Sequence, residues 1–443
     1  MKIENKRTKG IISNIGLSFV GRIVTTLSSF LIVPLTIDYV NPTQYGIWLT
    51  LSSIISWVAI FDLGLGQGFR NKFSESMALG DFQLAREYVS TTYFAVGVIV
   101  SIAYIILIIL NSFVNWSTIL NIDKSYNQEL NKVFFIVGSF FCLKMVVGIF
   151  GTLLTADQKP GISSLIQAFG NLLSLISIFL LTRFTSGSLT NLAIFYAGVP
   201  CFTIFAISLL TFIFHNRYKR LSPKLKFIKR HLIKNIISLG IQFFIIHICM
   251  IIVFQLSNIV ISREIGPIDV TRYNISYKYF NLLYIFSNII INPFWSAFTE
   301  AYTLKDYSWM KSMISKLEKT WLLLILCGCL MLICAPTIYL IWIGNKVHIN
   351  FELNLFMLIF FVFHIIGSIY MYLINGIGTI RIQLIIYILF AIISWPLLVY
   401  SCRLYGLIGI LFAPSAVFAI QAIMGKIQLN KIISGKAYGI WKK

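Results

Sequence analysis

The sequence predicts an all-α membrane protein of about twelve transmembrane helices, arranged as two six-helix bundles related by a pseudo-twofold axis along the membrane normal. Three observations lead there: apolar runs long enough to span a bilayer, basic residues that alternate between connecting segments, and a motif that returns 225 residues later. Of 443 residues, 58% are hydrophobic and 12% charged, against about half and about a quarter in soluble domains. The excess sits in continuous runs such as 99–110, 172–181 and 321–334. With their flanks these reach the roughly 20 residues a span needs. A backbone in hydrocarbon must satisfy its own hydrogen bonds, so the runs are helices. They do not alternate every second residue, which excludes an outer-membrane barrel.

In chain order the spans are predicted at 11–34, 45–64, 88–110, 132–154, 161–182, 190–214, 236–260, 276–297, 320–342, 353–374, 382–400 and 406–424. The first follows Lys6, Arg7 and Lys9 as the apolar region of a signal peptide would. It continues past Arg22 to Pro34, too long and too polar for that role, and reads as a retained helix. Charge tests both count and orientation. Of the 36 Lys and Arg, 26 fall in segments on the N-terminal side and seven in or at the edge of segments on the other side. Arg22, Lys144 and Lys278 remain within spans. A missed helix would invert every later segment and destroy the contrast, so both termini are expected in the cytoplasm. The net charge of +21 then reads as a topology signal and an attraction to anionic membrane lipids, not as a nucleic-acid surface.

The repeat divides the chain. Phe73 to Phe82 (FSESMALGDF) follows the second span, and Phe298 to Tyr307 (FTEAYTLKDY) follows the eighth. Pro42 and Pro267 share the same 225-residue offset. Six helices is an even number, so the halves enter the membrane in the same sense, with a pathway expected between them. The expected domains are 1–214, an N-terminal six-helix bundle; 215–235, a basic cytoplasmic linker; and 236–443, a C-terminal bundle with a basic tail. The linker carries Arg217, Lys219, Arg220, Lys224, Lys226, Lys229, Arg230 and Lys234, charges that anionic headgroups would hold.

Polar side chains are costly in a bilayer and mark protein-facing or hydrated surfaces. They recur at helical spacing: Ser18, Arg22, Thr25 and Ser29; Ser164, Gln167, Asn171 and Ser174; His247, Gln255 and Asn258; Asn274, Lys278, Asn281 and Asn288; His364, Ser368 and Asn375. Arg or Lys at a helix centre costs about 2.5–3.5 kcal/mol on insertion scales. No acid stands at mid-depth to neutralise Arg22 or Lys144; Asp62 and Glu300 lie near the cytoplasmic ends of their spans. An excess of cations suits an anionic substrate, and an Arg fork matches phosphate oxygens. The alternative is that these groups snorkel to the interface or brace neighbouring helices.

Other chemistry finds little support. The seven cysteines imply no disulfide framework, and Cys327 and Cys329, two positions apart, fall on different helix faces and make a poor metal clamp. No metal site, catalytic residue or cofactor is expected. Asp62 to Gly68 (DLGLGQG) superficially resembles a dinucleotide loop, but it follows a predicted membrane helix and not a strand. Its glycines fit a loosened helix end or close packing better.

Val33 to Thr36 (VPLT), Tyr45 to Trp48 (YGIW), Asp62 to Lys72 (DLGLGQGFRNK), Gly80-Asp81 and Tyr88 together resemble the O-antigen and polysaccharide flippases of the multidrug/oligosaccharidyl-lipid/polysaccharide exporter superfamily. That resemblance implies a V-shaped pair of bundles working by alternating access. It also implies translocation of undecaprenyl-pyrophosphate-linked oligosaccharide across the bacterial inner membrane, with no enzymatic step. The polysaccharide polymerase is an expected partner. Arg22 and Lys144 would then hold the pyrophosphate or acidic sugars and Lys278 would assist. Asn171, His247, Gln255, Asn258, Asn281 and Asn288 would line the sugar path, with Asp62, Glu300 and His364 as candidates for coupling or gating. Two competitors remain open. One is a cation-coupled drug or metabolite exporter of the same superfamily. The other is a membrane-embedded polysaccharide polymerase, which short outer loops disfavour.

Overall fold

A computed structural model describes residues 2–40, 64–116, 127–343 and 348–442. The second expected span, and Asp62 with it, lies outside the described residues. Among the described residues all regular structure is helical, and eleven segments are long and apolar enough to cross a membrane. The protein is thus an all-α, multi-pass membrane protein.

The helices are α1 (Lys2–Val40), α2 (Leu65–Ala78), α3 (Phe82–Phe113), α4 (Asn127–Val147), α5 (Ile149–Ala156), α6 (Pro160–Phe184), α7 (Leu189–Ala193), α8 (Val199–Phe214), α9 (Asn216–Leu221), α10 (Arg230–Glu264), α11 (Pro267–Thr303), α12 (Tyr307–Ile343), α13 (Phe351–Ile377), α14 (Arg381–Gly409) and α15 (Phe412–Ile433). A π-helical turn at Ile194–Gly198 joins α7 to α8. It comes just before Pro200, whose ring cannot follow a regular α turn without clashing with the preceding carbonyls. Most helices run past their apolar runs, because charged residues such as Lys2 and Arg230 form helix readily once outside hydrocarbon. The segments between expected spans are also partly helical, as in α2 and the first turns of α12, and the same holds near 401–405, expected as a loop. The chain stays helical there until Gly406, which takes φ +60 and breaks the element. Arg403 at this end forks onto Glu264, with Nε and Nη2 donating at 2.8 and 3.3 Å.

The chain forms two compact units, Met1–Ile241 and Gln242–Lys443, and the division falls within α10. In the first unit α1 lies along α6: Gly21 faces Ser164, whose Oγ donates to the Ser18 carbonyl at 3.4 Å. Asn14 closes the end of this pair, donating to the Gln158 carbonyl at 2.9 Å and accepting from Gly161 N at 3.1 Å. A buried cluster including Phe69, Phe73, Tyr88, Phe150, Tyr218 and Ile236 ties α2, α3, α5, α9 and the start of α10 together. Gly68 permits a close approach of α2 to α10, since any Cβ there would strike the Ile236 carbonyl. In the second unit α13 is the hub, packed by α11, α12, α14 and α15.

The sequence repeat is a repeat of structure. After α2, Gly80 takes φ +75 and the Asp81 carboxylate caps α3 by accepting from Leu84 N at 2.9 Å. After α11, Lys305 takes φ +58 and Asp306 accepts from Trp309 N at 3.1 Å ahead of α12. The main-chain bonds coincide: Gly80 to Met77 and Asp81 to Ser76 in one, Lys305 to Tyr302 and Asp306 to Ala301 in the other. Both are Schellman closures. Only the second places an L side chain in the left-handed region, at a cost of about 1–2 kcal/mol.

Candidate functional site

The side chains that could meet a charged ligand at membrane depth are those on exposed helix faces. On α1 the buried residues Ile11, Ser18, Gly21, Ser28 and Ile32 follow one stripe, turned toward α6. Arg22 follows Gly21 and is therefore carried off that stripe; it is exposed. The polar stripe read from sequence is thus split. Ser18 is buried against α6, Ser29 bonds its own helix at the Thr25 carbonyl, and Arg22 stands clear.

Lys144, in the last turn of α4, and Lys278, on α11, are likewise exposed. Among the described residues no carboxylate lies within 4.0 Å of Arg22, Lys144 or Lys278. The three stand on different helices, two in the first unit and one in the second.

The neutral candidates differ in their surroundings. Asn171 is half-buried on α6, where Ser174 is buried and donates to the Phe195 carbonyl at 3.3 Å. On α10, His247 is exposed; the side chain of Gln255 lies outside the described ones. Asn258 accepts from Asn274 Nδ2 at 3.0 Å, joining α10 to α11. Asn281 is half-buried, and Asn288 accepts from the Tyr372 hydroxyl at 3.2 Å. Glu300 is half-buried in the last turn of α11. His364 is 4% exposed and lies between two rings, Tyr284 and Phe418, each centroid 4.1 Å away. Other polar groups are enclosed in the same unit: Tyr387 donates to Gln421 at 3.2 Å, and Asn354 accepts from both Ser276 and Tyr339 at 2.8 Å. These groups can position helices, and in this structure they do.

One charged centre escaped the sequence reading. Asp157, with its side chain 2% exposed, sits in the turn between α5 and α6. It accepts from Arg217 and, at 2.7 Å, from the Tyr218 hydroxyl; Lys159 Nζ lies 3.3 Å away. Burial, reinforced by the neighbouring carboxylate, pushes the Tyr218 phenol above its ordinary range. The basic segment is fastened to the first unit at further points: Lys224 N donates to Ser90 Oγ at 3.1 Å, Lys229 N to Thr91 Oγ1 at 3.0 Å, and Arg86 stacks over Phe227 at 4.1 Å. A signal was present in the sequence: Asp157 is the last acid before Glu264, with eleven Lys and Arg between them.

The architecture is that of a known class of membrane transporters. It matches an outward-facing multidrug resistance MATE family transporter of the MOP superfamily with a TM-score of 0.79 at 14% identity, covering 98% of this chain and 97% of that one. A Vibrio cholerae MATE transporter matches at 0.78 and 11% identity over the whole of both chains. Within that fold, the chain belongs to the polysaccharide biosynthesis protein family, whose model matches residues 11–298.

Among relatives, a protein of Yersinia pseudotuberculosis described as an O-antigen export protein is 22% identical over 63% of this chain. One of Salmonella typhimurium described as an O-antigen transporter is 23% identical over 96% of this chain and 97% of its own length. The chain spans 63% of the length of the Yersinia relative, and the same share of a Salmonella typhi O-antigen transporter.

Proposed function

We propose that this protein is a flippase that moves undecaprenyl-pyrophosphate-linked oligosaccharide from the cytoplasmic to the outer leaflet of the bacterial inner membrane by alternating access. Family membership supports the polysaccharide substrate class. The observation that carries the mechanism is the exposure of Arg22, Lys144 and Lys278 on membrane-crossing helices without a carboxylate partner among the described residues. A cation kept at membrane depth is expensive, and an anionic ligand offsets that cost through charge-assisted hydrogen bonds of about 1.5–3 kcal/mol each. Arg22 and Lys144 hold the pyrophosphate or acidic sugars; Lys278 assists. Asn171, Asn281 and Asn288 offer amides to sugar hydroxyls, and the lipid tail stays in the bilayer. Both termini are cytoplasmic, and a polysaccharide polymerase consumes the product.

The fold alone would also suit a drug exporter, but exposed cations at membrane depth favour an anionic cargo. A deletion strain separates the readings. Lipid-linked repeat units trapped on the cytoplasmic leaflet support the flippase. Accumulation on the outer leaflet supports a polymerase, and a drug-sensitivity phenotype with normal polysaccharide supports an exporter.

A further inference from the structure

A groove of about 660 Å³ opens on the first unit between α3 and the start of α10. That volume falls in the range of about 300–1,000 Å³ typical of small-ligand sites. Its walls are apolar, with Phe94 and Val98 on one side and Ile233 and Ile237 on the other. Arg230, Lys234 and Ser238 complete the lining; both cations are exposed, and among the described residues neither has a carboxylate within 4.0 Å. The bonds from Lys224 and Lys229 to Ser90 and Thr91 fix the register. They set the first turn of α10 beside Thr91, so that Phe94 and Val98 face its next two turns. The cations therefore border the basic segment, and the apolar walls continue along the two membrane-crossing helices.

We infer that this groove is a binding site for an anionic phospholipid of the adjoining leaflet. The headgroup phosphate pairs with Arg230 and Lys234, and an acyl chain lies along Phe94, Val98, Ile233 and Ile237. Charge complementarity selects the occupant. From 217 to 234 the sequence holds eight Lys and Arg and no acid, a field that favours anionic over zwitterionic headgroups. The apolar walls select a lipid over a free anion. The site sits on α10, the helix in which the two compact units divide, so its occupancy would make transport sensitive to membrane composition. The inference does not depend on which substrate the protein carries.

The test is native mass spectrometry of the full-length protein incubated with phosphatidylglycerol or phosphatidylethanolamine of matched acyl chains. The wild type should retain phosphatidylglycerol at least fivefold better. R230A/K234A should fall to the phosphatidylethanolamine level, with R230Q/K234Q in reserve if the alanine pair does not elute as folded protein. Val98→Trp, which fills the groove without changing charge, should lose retention to a similar degree. K219A/R220A, which removes exposed cations of α9 outside the groove, should bind as the wild type does, and excess inorganic phosphate should not displace the lipid.

Equal loss in K219A/R220A would reduce the effect to diffuse charge and overturn the site. Wild-type retention in Val98→Trp, or displacement by phosphate, would remove the acyl-chain half of the proposal. Undecaprenyl phosphate outcompeting phosphatidylglycerol at equal concentration would replace the proposed occupant with the carrier lipid.

Discussion

Helices α1 and α13 both cross the membrane, and each belongs to a different unit. In α13, 78% of the apolar window is buried; in α1, 11% is. Their polar residues differ accordingly. On α13, Asn354 and His364 are enclosed, one bonded to Ser276 and Tyr339 and the other between the rings of Tyr284 and Phe418. On α1, Ser18 joins the packed face while Arg22 is left outside it. A polar residue in a membrane helix is therefore not one kind of signal. Where the helix is a hub, polarity fixes packing; where it is peripheral to its unit, polarity is available to a ligand. By this criterion Arg22, Lys144 and Lys278 are candidates for binding, and the enclosed His364 is expected to act through packing.

The contrast can be broken by mutation. Arg22→Ala should lower transport on the order of 10- to 100-fold, the loss of one charge-assisted hydrogen bond, with membrane abundance unchanged. Surface polysaccharide and immunoblotting measure the two. His364→Ala should do the reverse, removing about 2–4 kcal/mol of stability by opening a cavity among rings and lowering abundance. His364→Phe, which keeps the ring stack, should restore both abundance and transport. If His364→Phe folded but did not transport, His364 would have a coupling role after all.

Smaller effects test the frame that holds these helices. Asp157→Ala leaves Arg217 and Lys159 without their carboxylate and should cost about 1–3 kcal/mol, since both cations are partly exposed and water compensates them. Limited proteolysis within 216–229 would report the release of the basic segment. At the repeated turns, Asp81→Ala and Asp306→Ala should each cost about 1 kcal/mol, the usual value of a lost N-cap. Lys305→Gly should stabilise by about 0.5–1 kcal/mol, because its twin position holds Gly80 at nearly the same φ. Thermal melting in detergent would show the sign, and a destabilised Lys305→Gly would mean that the two turns are not equivalent.

Much of this was legible in the sequence. The membrane-crossing helices follow from continuous apolar runs, because hydrocarbon leaves the backbone no other choice. The turn repeat follows from FSESMALGDF and FTEAYTLKDY, whose shared Asp is the cap in both. Periodicity showed which residues share a face, but not which face a neighbouring helix covers. Arg22 and Ser18 share a stripe by spacing, yet α6 covers Ser18 and leaves Arg22 exposed. His364 read as a candidate for coupling because ring stacking depends on Tyr284 and Phe418, residues 80 and 54 positions away. The Asp157 centre was hidden for the same reason. Its partners Arg217 and Tyr218 lie 60 and 61 residues on, and only the folded first unit unites them.

If exposed cations at membrane depth bind the anionic group of a lipid-linked sugar during its passage, its rate of passage must depend on Arg22. Reconstitution tests it most directly: purified protein in vesicles, a labelled undecaprenyl-pyrophosphate oligosaccharide, and the fraction reaching the opposite leaflet over time. The wild type should exchange it, Arg22→Ala should exchange it at least tenfold more slowly, and Arg22→Lys should fall between. Undiminished exchange by a folded Arg22→Ala protein would contradict the account.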